Sequence, residues 1–297
     1  MKNIINKDSR FQKASIRTNI FYKHSSIPKE FKNRINLLAE LSNSCEKPCF
    51  LFGGTLRDIC RILYVGSWEI SKDLDLMVDG NIEELVSKIT TNTDFEIVST
   101  STFGKKPIVF METKNREYKL SLLTIPGEGS FEDKLYKDFS RSDFSFNTIA
   151  TFLGSFQHIA MNEITLITPS SSKFYFDLLN NMVSVNTLLF KNKPKRDFYI
   201  IFLRMLKHKY RDKSKLDIES IEFFLNQVKL GFKDVRREQY TLDTLEKYGK
   251  SAFNDLKNYG FISIVFPEFE QLDFITFKRE IKNLKEIKKN EPFEIGL

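Results

Sequence analysis

The chain has 297 residues, of which 41% are hydrophobic and 29% charged, and its formal net charge is +7. That length allows roughly two domains with cores of their own, and no apolar run approaches the about 20 residues of a membrane-spanning helix, so no membrane partner is expected. Cys45, Cys49 and Cys60 are too few and too irregularly spaced for a disulfide framework or a zinc site, which fits a reduced, cytoplasmic setting, and the basic balance favours a polyanion such as RNA as partner.

Residues 1–29 hold Lys2, Lys7, Arg10, Lys13, Arg17, Lys23 and Lys29, with Asp8 the only acid. This reads either as an organelle transit segment or as a basic N-terminal arm, residues 1–31, that touches RNA phosphates. Pro28 then opens a helical pattern with Phe31, Ile35, Leu38 and Leu41 at helical spacing. The short apolar run 48–52 ends in Gly53-Gly54, which predicts a buried strand entering a tight turn. Helical spacing follows over 56–63, a strand over 74–78 closed by Asp79-Gly80, and a helix over 82–89. Strands are predicted over 95–98, 107–112 and 117–123, the last two forming a hairpin across Thr113–Arg116.

Beyond about Gly154 the pattern becomes helical: 198–206, 218–228, 235–248 and 252–259, then a charged helix over 278–289. Lys191–Arg196 reads as a basic connector. Phe is abundant, 29 residues, and the Phe-rich helices read as core rather than as a base-stacking platform. The expected fold class is α+β, a mixed-sheet head over residues 32–155 followed by an all-helical, RNA-binding neck and body over 156–297.

Lys72-Asp73-Leu74-Asp75-Leu76 carries the chemistry. On a strand, residues i and i+2 face the same way, so Asp73 and Asp75 point into one space with the leucines behind them. Two carboxylates held that close need a cation between them, or one stays protonated. Mg²⁺ prefers carboxylate oxygen and keeps coordination positions open for phosphates. Upstream, Gly53-Gly54 lets backbone N–H groups approach a triphosphate with no side chain in the way. Together they point to metal-assisted nucleotidyl transfer. The plain alternatives are a solvated edge strand for the aspartates, an ordinary turn for the glycines and a surface ion pair for Arg141 and Asp143.

In this order the motifs resemble the class II tRNA nucleotidyltransferases, the CCA-adding enzymes, and the related bacterial-type poly(A) polymerases. Gly53-Gly54-x-x-Arg57-Asp58 is similar to the family's head glycine motif, Asp73-Leu74-Asp75 to its catalytic Asp-x-Asp, and Arg141-Ser142-Asp143-Phe144-Ser145-Phe146-Asn147 to its Arg-Arg-Asp-Phe-Thr-Ile-Asn. The resemblance covers roughly residues 35–270. It implies that Asp73 and Asp75 are catalytic and hold two Mg²⁺ ions about 3.5–4 Å apart. It also implies that Gly53, Gly54, Arg57, Asp58, Arg141, Asp143 and Asn147 bind a ribonucleoside triphosphate, ATP or also CTP. The acceptor would be an RNA 3′ end, in the first place that of tRNA.

The sequence departs from the family pattern in two places. Leu203-Arg204-x-x-Lys207 fits the neck helix, but the base-reading Arg of the preceding motif falls on Ile201, or on Ile200 with a shift of one, which leaves Asp197 and Arg204 as candidates for base recognition. The third carboxylate falls on Lys119, and Glu117, two residues earlier, is the candidate replacement as a metal ligand. The resemblance therefore implies Mg²⁺-dependent transfer of a nucleoside monophosphate to an RNA 3′-hydroxyl. CCA addition to tRNA is the first reading, poly(A)-type adenylyl transfer the second, and a catalytically degenerate RNA-binding protein the third.

Overall fold

In chain order the first part of the structure runs β1 (Phe11–Arg17), α1 (Lys29–Asn43), β2 (Cys49–Phe52), α2 (Gly54–Val65), β3 (Asp73–Val78), α3 (Ile82–Asn92), β4 (Phe95–Phe103), β5 (Lys106–Thr113), β6 (Lys119–Thr124), α4 (Phe131–Phe139), β7 (Ala150–Phe152), β8 (Glu163–Pro169) and α5 (Phe174–Asn180). The computed structural model describes residues 8–17, 29–45, 49–65, 72–103, 106–124, 129–156, 163–186, 188, 198–228 and 235–290. The chain divides into two compact units, Met1–Lys195 and Arg196–Leu297.

The first unit is built on one eight-stranded sheet, in the order β1-β8-β7-β2-β3-β6-β5-β4. Only the β3–β6 pair is parallel; its neighbours are antiparallel. A parallel pair needs a crossover connection, and α3, β4 and β5 supply it. The expected helix at 82–89 and the hairpin across 113–116 are both present in that crossover. Elsewhere the structure corrects the sequence reading. Residues 11–17 of the expected basic arm are strand β1, paired along its whole length with β8 from Phe11–Pro169 to Arg17–Glu163. Arg10 is engaged within the unit, by Asp8 and by Asp133 at 2.8 Å. The head boundary expected at 155 falls inside this unit, because β8 extends the same sheet. The connector 191–196 lies outside the described residues.

Packing on the sheet explains where the site opens. Phe50 on β2 is fully buried and stacks on Phe131 of α4 at 4.3 Å and against Phe152 at 4.1 Å. Leu135 and Phe139 of α4 join the same cluster with Met77 of β3. Helix α4 begins in a reciprocal cap, Ser130 accepting from the Asp133 N–H and Asp133 accepting from the Ser130 N–H. On the opposite face Leu51, Leu74, Leu76, Leu120 and Leu122 are buried.

The second unit comprises α6 (Phe198–Arg211), α7 (Ile218–Val228), α8 (Val235–Asn258), α9 (Phe261–Val265) and α10 (Phe274–Asn290). Its core is aromatic, as the Phe-rich spacing predicts: Phe202 stacks on Phe261 at 4.2 Å and meets Phe224 and Tyr259 edge-on. Tyr199 is buried there and its hydroxyl pairs with Thr241 at 2.6 Å. Gly249 interrupts α8 with φ +62°, which falls between the two helical segments read from the sequence and which a glycine adopts without strain. No helix among the described residues is long and apolar enough to cross a membrane.

Phe50→Ala removes a ring that bridges the sheet and α4. Urea unfolding of the full chain should show destabilisation by about 3–5 kcal/mol, with amide protection in residues 131–139 falling first.

Candidate active site

Strand β3 alternates as the sequence predicts: Leu74 and Leu76 are buried, Asp73 is exposed and Asp75 half-buried. Met77 shares the face of the aspartates but is covered by the α4 cluster. Towards Asp75 and Asp73 that cover gives way, so one strand face changes from apolar to acidic along its length. Register sets the neighbours. Asp75 lies beside Phe52 of β2 and Ser121 of β6, and Asp73 lies beside Lys119.

The turn from β2 into α2 sits directly against Asp75. Gly53 has φ +70°, and a Cβ there would stand 3.8 Å from Asp75 Oδ2. Space is adequate, so it is the left-handed backbone that calls for glycine. Helix α2 starts at the next residue, which presents its first N–H groups beside the aspartate pair, the arrangement that favours phosphate. The Thr55 hydroxyl donates to the Asp73 carbonyl and ties the helix start to the strand start. The sequence reading passed over Thr55, and only the fold reveals its role.

Arg57 behaves differently from expectation. It is 4% exposed, and all three guanidinium nitrogens donate inward: Nε and NH2 to Asp58 Oδ1 at 2.9 and 2.8 Å, NH1 to Asn147 Oδ1 at 3.1 Å. Its guanidinium also lies over the Phe146 ring at 5.1 Å, as does that of Arg61 at 5.6 Å. Arg61 further donates to Asn181 Oδ1 at 3.3 Å, and Asn181 holds φ +48°. Arg57, Asp58 and Asn147 are therefore brought together as a buried clamp between α2 and the 144–147 segment. Asp177, fully buried, accepts from the Ser145 and Ser184 hydroxyls and fixes that segment from the other side. Asp143 is buried and its carbonyl accepts the Asn186 N–H at 3.1 Å, while Arg141 follows α4 in a turn closed by Asp138.

Burial, then the nearby Asp73 charge, push the Asp75 carboxyl up to about 6, against a lowering hydrogen bond from Ser121. A carboxylate so placed gains most from a bound cation, and two aspartates on one face suit a hard divalent ion. Glu117 is not brought to the pair. It lies in the turn before β6, its carboxylate accepting from Asn115 Nδ2 at 3.2 Å. Among the described residues no group of three or more His, Cys, Asp or Glu is placed to hold a metal.

No protein-family model and no curated protein sequence matches the chain. Solved structures do. The chain is similar to a CCA-adding enzyme in complex with CTP, at 17% identity and TM-score 0.64, over 95% of this chain and 63% of that one. It is similar to a CCA-adding enzyme in complex with ATP, at 19% and 0.62, over 93% and 61%. It is also similar to the Thermotoga maritima CCA-adding enzyme complexed with tRNA, at 18% and 0.61, over 93% and 62%. The chain has the fold of the CCA-adding enzymes. It spans about three fifths of their length.

Within the CCA-adding fold the base-recognition candidates belong to the second unit. Arg204 is exposed on α6, and Asp197 lies outside the described residues. Ile200 and Ile201, where the resemblance expected an arginine, are buried at 4% and 3% exposure. Arg34 of α1 escaped the sequence reading because its spacing marks only a helix. It is 3% exposed, lies 5.6 Å from the Tyr118 ring centroid, and its Nε and Nη1 are buried with no hydrogen-bond partner among the described residues.

The Asp75 shift predicts a pH dependence. The folded protein holds this proton to about pH 6, whereas an unfolded aspartate releases it near pH 4. Its contribution is therefore present below about pH 4 and lost as pH rises through about 6, by at most about 3 kcal/mol. Thermal melts without metal should show Asp75→Asn to be the more stable form at pH 8 and the difference to vanish at pH 4.

Proposed function

We propose that the chain is an RNA 3′-end nucleotidyltransferase that adds to tRNA in the manner of a CCA-adding enzyme. The observation that carries this reading is the juxtaposition of Asp73 and Asp75, on the open end of a sheet face, with the Gly53-Gly54 turn and the start of α2. The shared fold supports it, as do the complexes of similar structures with CTP, ATP and tRNA. In the reaction the RNA 3′-oxygen bonds to the α-phosphorus, the bond from α-phosphorus to the bridging oxygen breaks, and pyrophosphate leaves with that oxygen. A divalent cation on the aspartates, Mg²⁺ in the first instance, would neutralise phosphate charge and favour loss of the 3′-hydroxyl proton. The chain's own contribution is positioning: N–H groups at the turn receive phosphate oxygens, and the Arg57–Asp58–Asn147 clamp keeps the turn and the 144–147 segment in place.

A second reading, poly(A)-type adenylyl transfer, is favoured by Ile200 and Ile201. Buried aliphatic side chains present no hydrogen bonds to a base edge, so alternation between C and A would have to come from elsewhere.

The test is incorporation of each labelled ribonucleoside triphosphate, with Mg²⁺, into tRNA ending before, within or after C-C-A. C followed by A and then arrest is the expected product, and long A tails on many RNAs would favour the second reading. Asp73→Ala should lower the rate by about 10³-fold or more while RNA affinity by filter binding stays within about twofold. Full activity in Asp73→Ala would overturn the mechanism. So would absence of incorporation with every nucleotide, which with salt-sensitive RNA binding intact would leave an RNA-binding protein.

A further inference from the structure

A site for two divalent ions needs acidic oxygen for each, with at least one carboxylate between them. This sheet face supplies an unusual set. In the parallel register Asp73 stands beside Lys119, and Lys119 in turn stands beside Glu112 of β5. Side chains of in-register residues on neighbouring strands share a face, and the buried alternation of Leu120 and Leu122 puts Lys119 and Ser121 on the face of the aspartates. The position next to Asp73 thus carries an ammonium. Glu117 is drawn into the turn by Asn115, and the described residues offer no third acidic partner.

Arg34 adds an independent observation. A nearly fully buried guanidinium whose Nε and Nη1 find no partner among the described residues is costly, and arginine does not escape that cost by losing its proton. It lies against the ring of Tyr118, the residue just before Lys119. A fixed cation thus stands at the turn before β6, in addition to Lys119 at its start.

We propose that this site holds one divalent cation, on Asp73 and Asp75, and that Lys119 occupies the place of a second. The inference rests on the reading that the aspartates bind a cation, and it replaces the expectation of two ions. Fixed positive charge would stand where a second ion would otherwise bind. Lys119 is exposed and leads directly into β6, so it can be exchanged without opening the core.

Mn²⁺ is the probe, counted by equilibrium dialysis on the full chain with a non-hydrolysable ATP analogue and observed by electron paramagnetic resonance. The expected result is one ion per chain with the hyperfine pattern of an isolated ion. Lys119→Glu should raise the count to two and produce the spectrum of a spin-coupled pair, whereas Lys119→Gln should stay at one. Two coupled ions in the unaltered protein, or a Lys119→Glu protein that still takes one, would overturn the inference and leave the proposed function standing. An identical count in the Asp73→Asn/Asp75→Asn double variant would instead remove the cation site itself, and with it the proposed mechanism.

Discussion

Everything distinctive about the first unit depends on the register of β3 between β2 and β6. Strand side chains alternate with a period of two, so a slip of one residue exchanges the two faces. In the observed register Leu74 and Leu76 are buried and Asp73 and Asp75 come to the opposite face. A one-residue slip would bury both carboxylates and expose two leucines, and the cost of burying unpaired charge makes that alternative unfavourable. The same pairing sets Phe52 and Ser121 beside Asp75 and Lys119 beside Asp73. Fold stability and site chemistry are thus consequences of a single pairing choice.

Around that strand the structure invests buried polar groups in holding short segments still. The Arg57–Asp58 pair has side chains only 5% exposed on both partners. A pair so buried contributes little net stability but becomes strongly destabilising when one partner is removed. Its effect is geometric: with Asn147 and the Phe146 ring it fastens the first turn of α2 to the short 3-10 turn Ser145–Asn147. Asp177, Ser145 and Ser184 hold the same segment from a different side. In the helical unit, His208 pairs with Asp212 at 2.8 Å and Asp212 also accepts from Arg211, which closes the end of α6. In the first unit the clusters tie the 144–147 segment to α2 and to α5.

The likeness to CCA-adding enzymes is one of backbone architecture, at 17–19% identity in the structures compared. A fold of this kind can host different chemistries, and the site has to be argued from its own residues. Here the acidic pair stands beside the glycine turn, the juxtaposition on which the proposed nucleotidyl transfer rests. Lys119, Ile200 and Ile201 stand where the resemblance expected a carboxylate and an arginine.

Local pattern was enough for much of the architecture. Period-two alternation in β3, apolar spacing in α1, the glycines at 53 and 54 and the break near Gly249 each express a physical preference within a few residues, and the helices and strands they imply are present. The acidic pair was legible for the same reason, since two side chains two apart on a strand share a face whatever surrounds them. Strands β1 and β8 were not legible. Their paired residues lie about 150 positions apart in sequence, and neither segment announces itself without its partner. Nor did sequence show that Arg57 would reach Asn147 or that Arg34 would be buried against Tyr118. Those outcomes depend on which distant groups compete for the same donors and acceptors, and only the tertiary structure brings those groups within reach of one another.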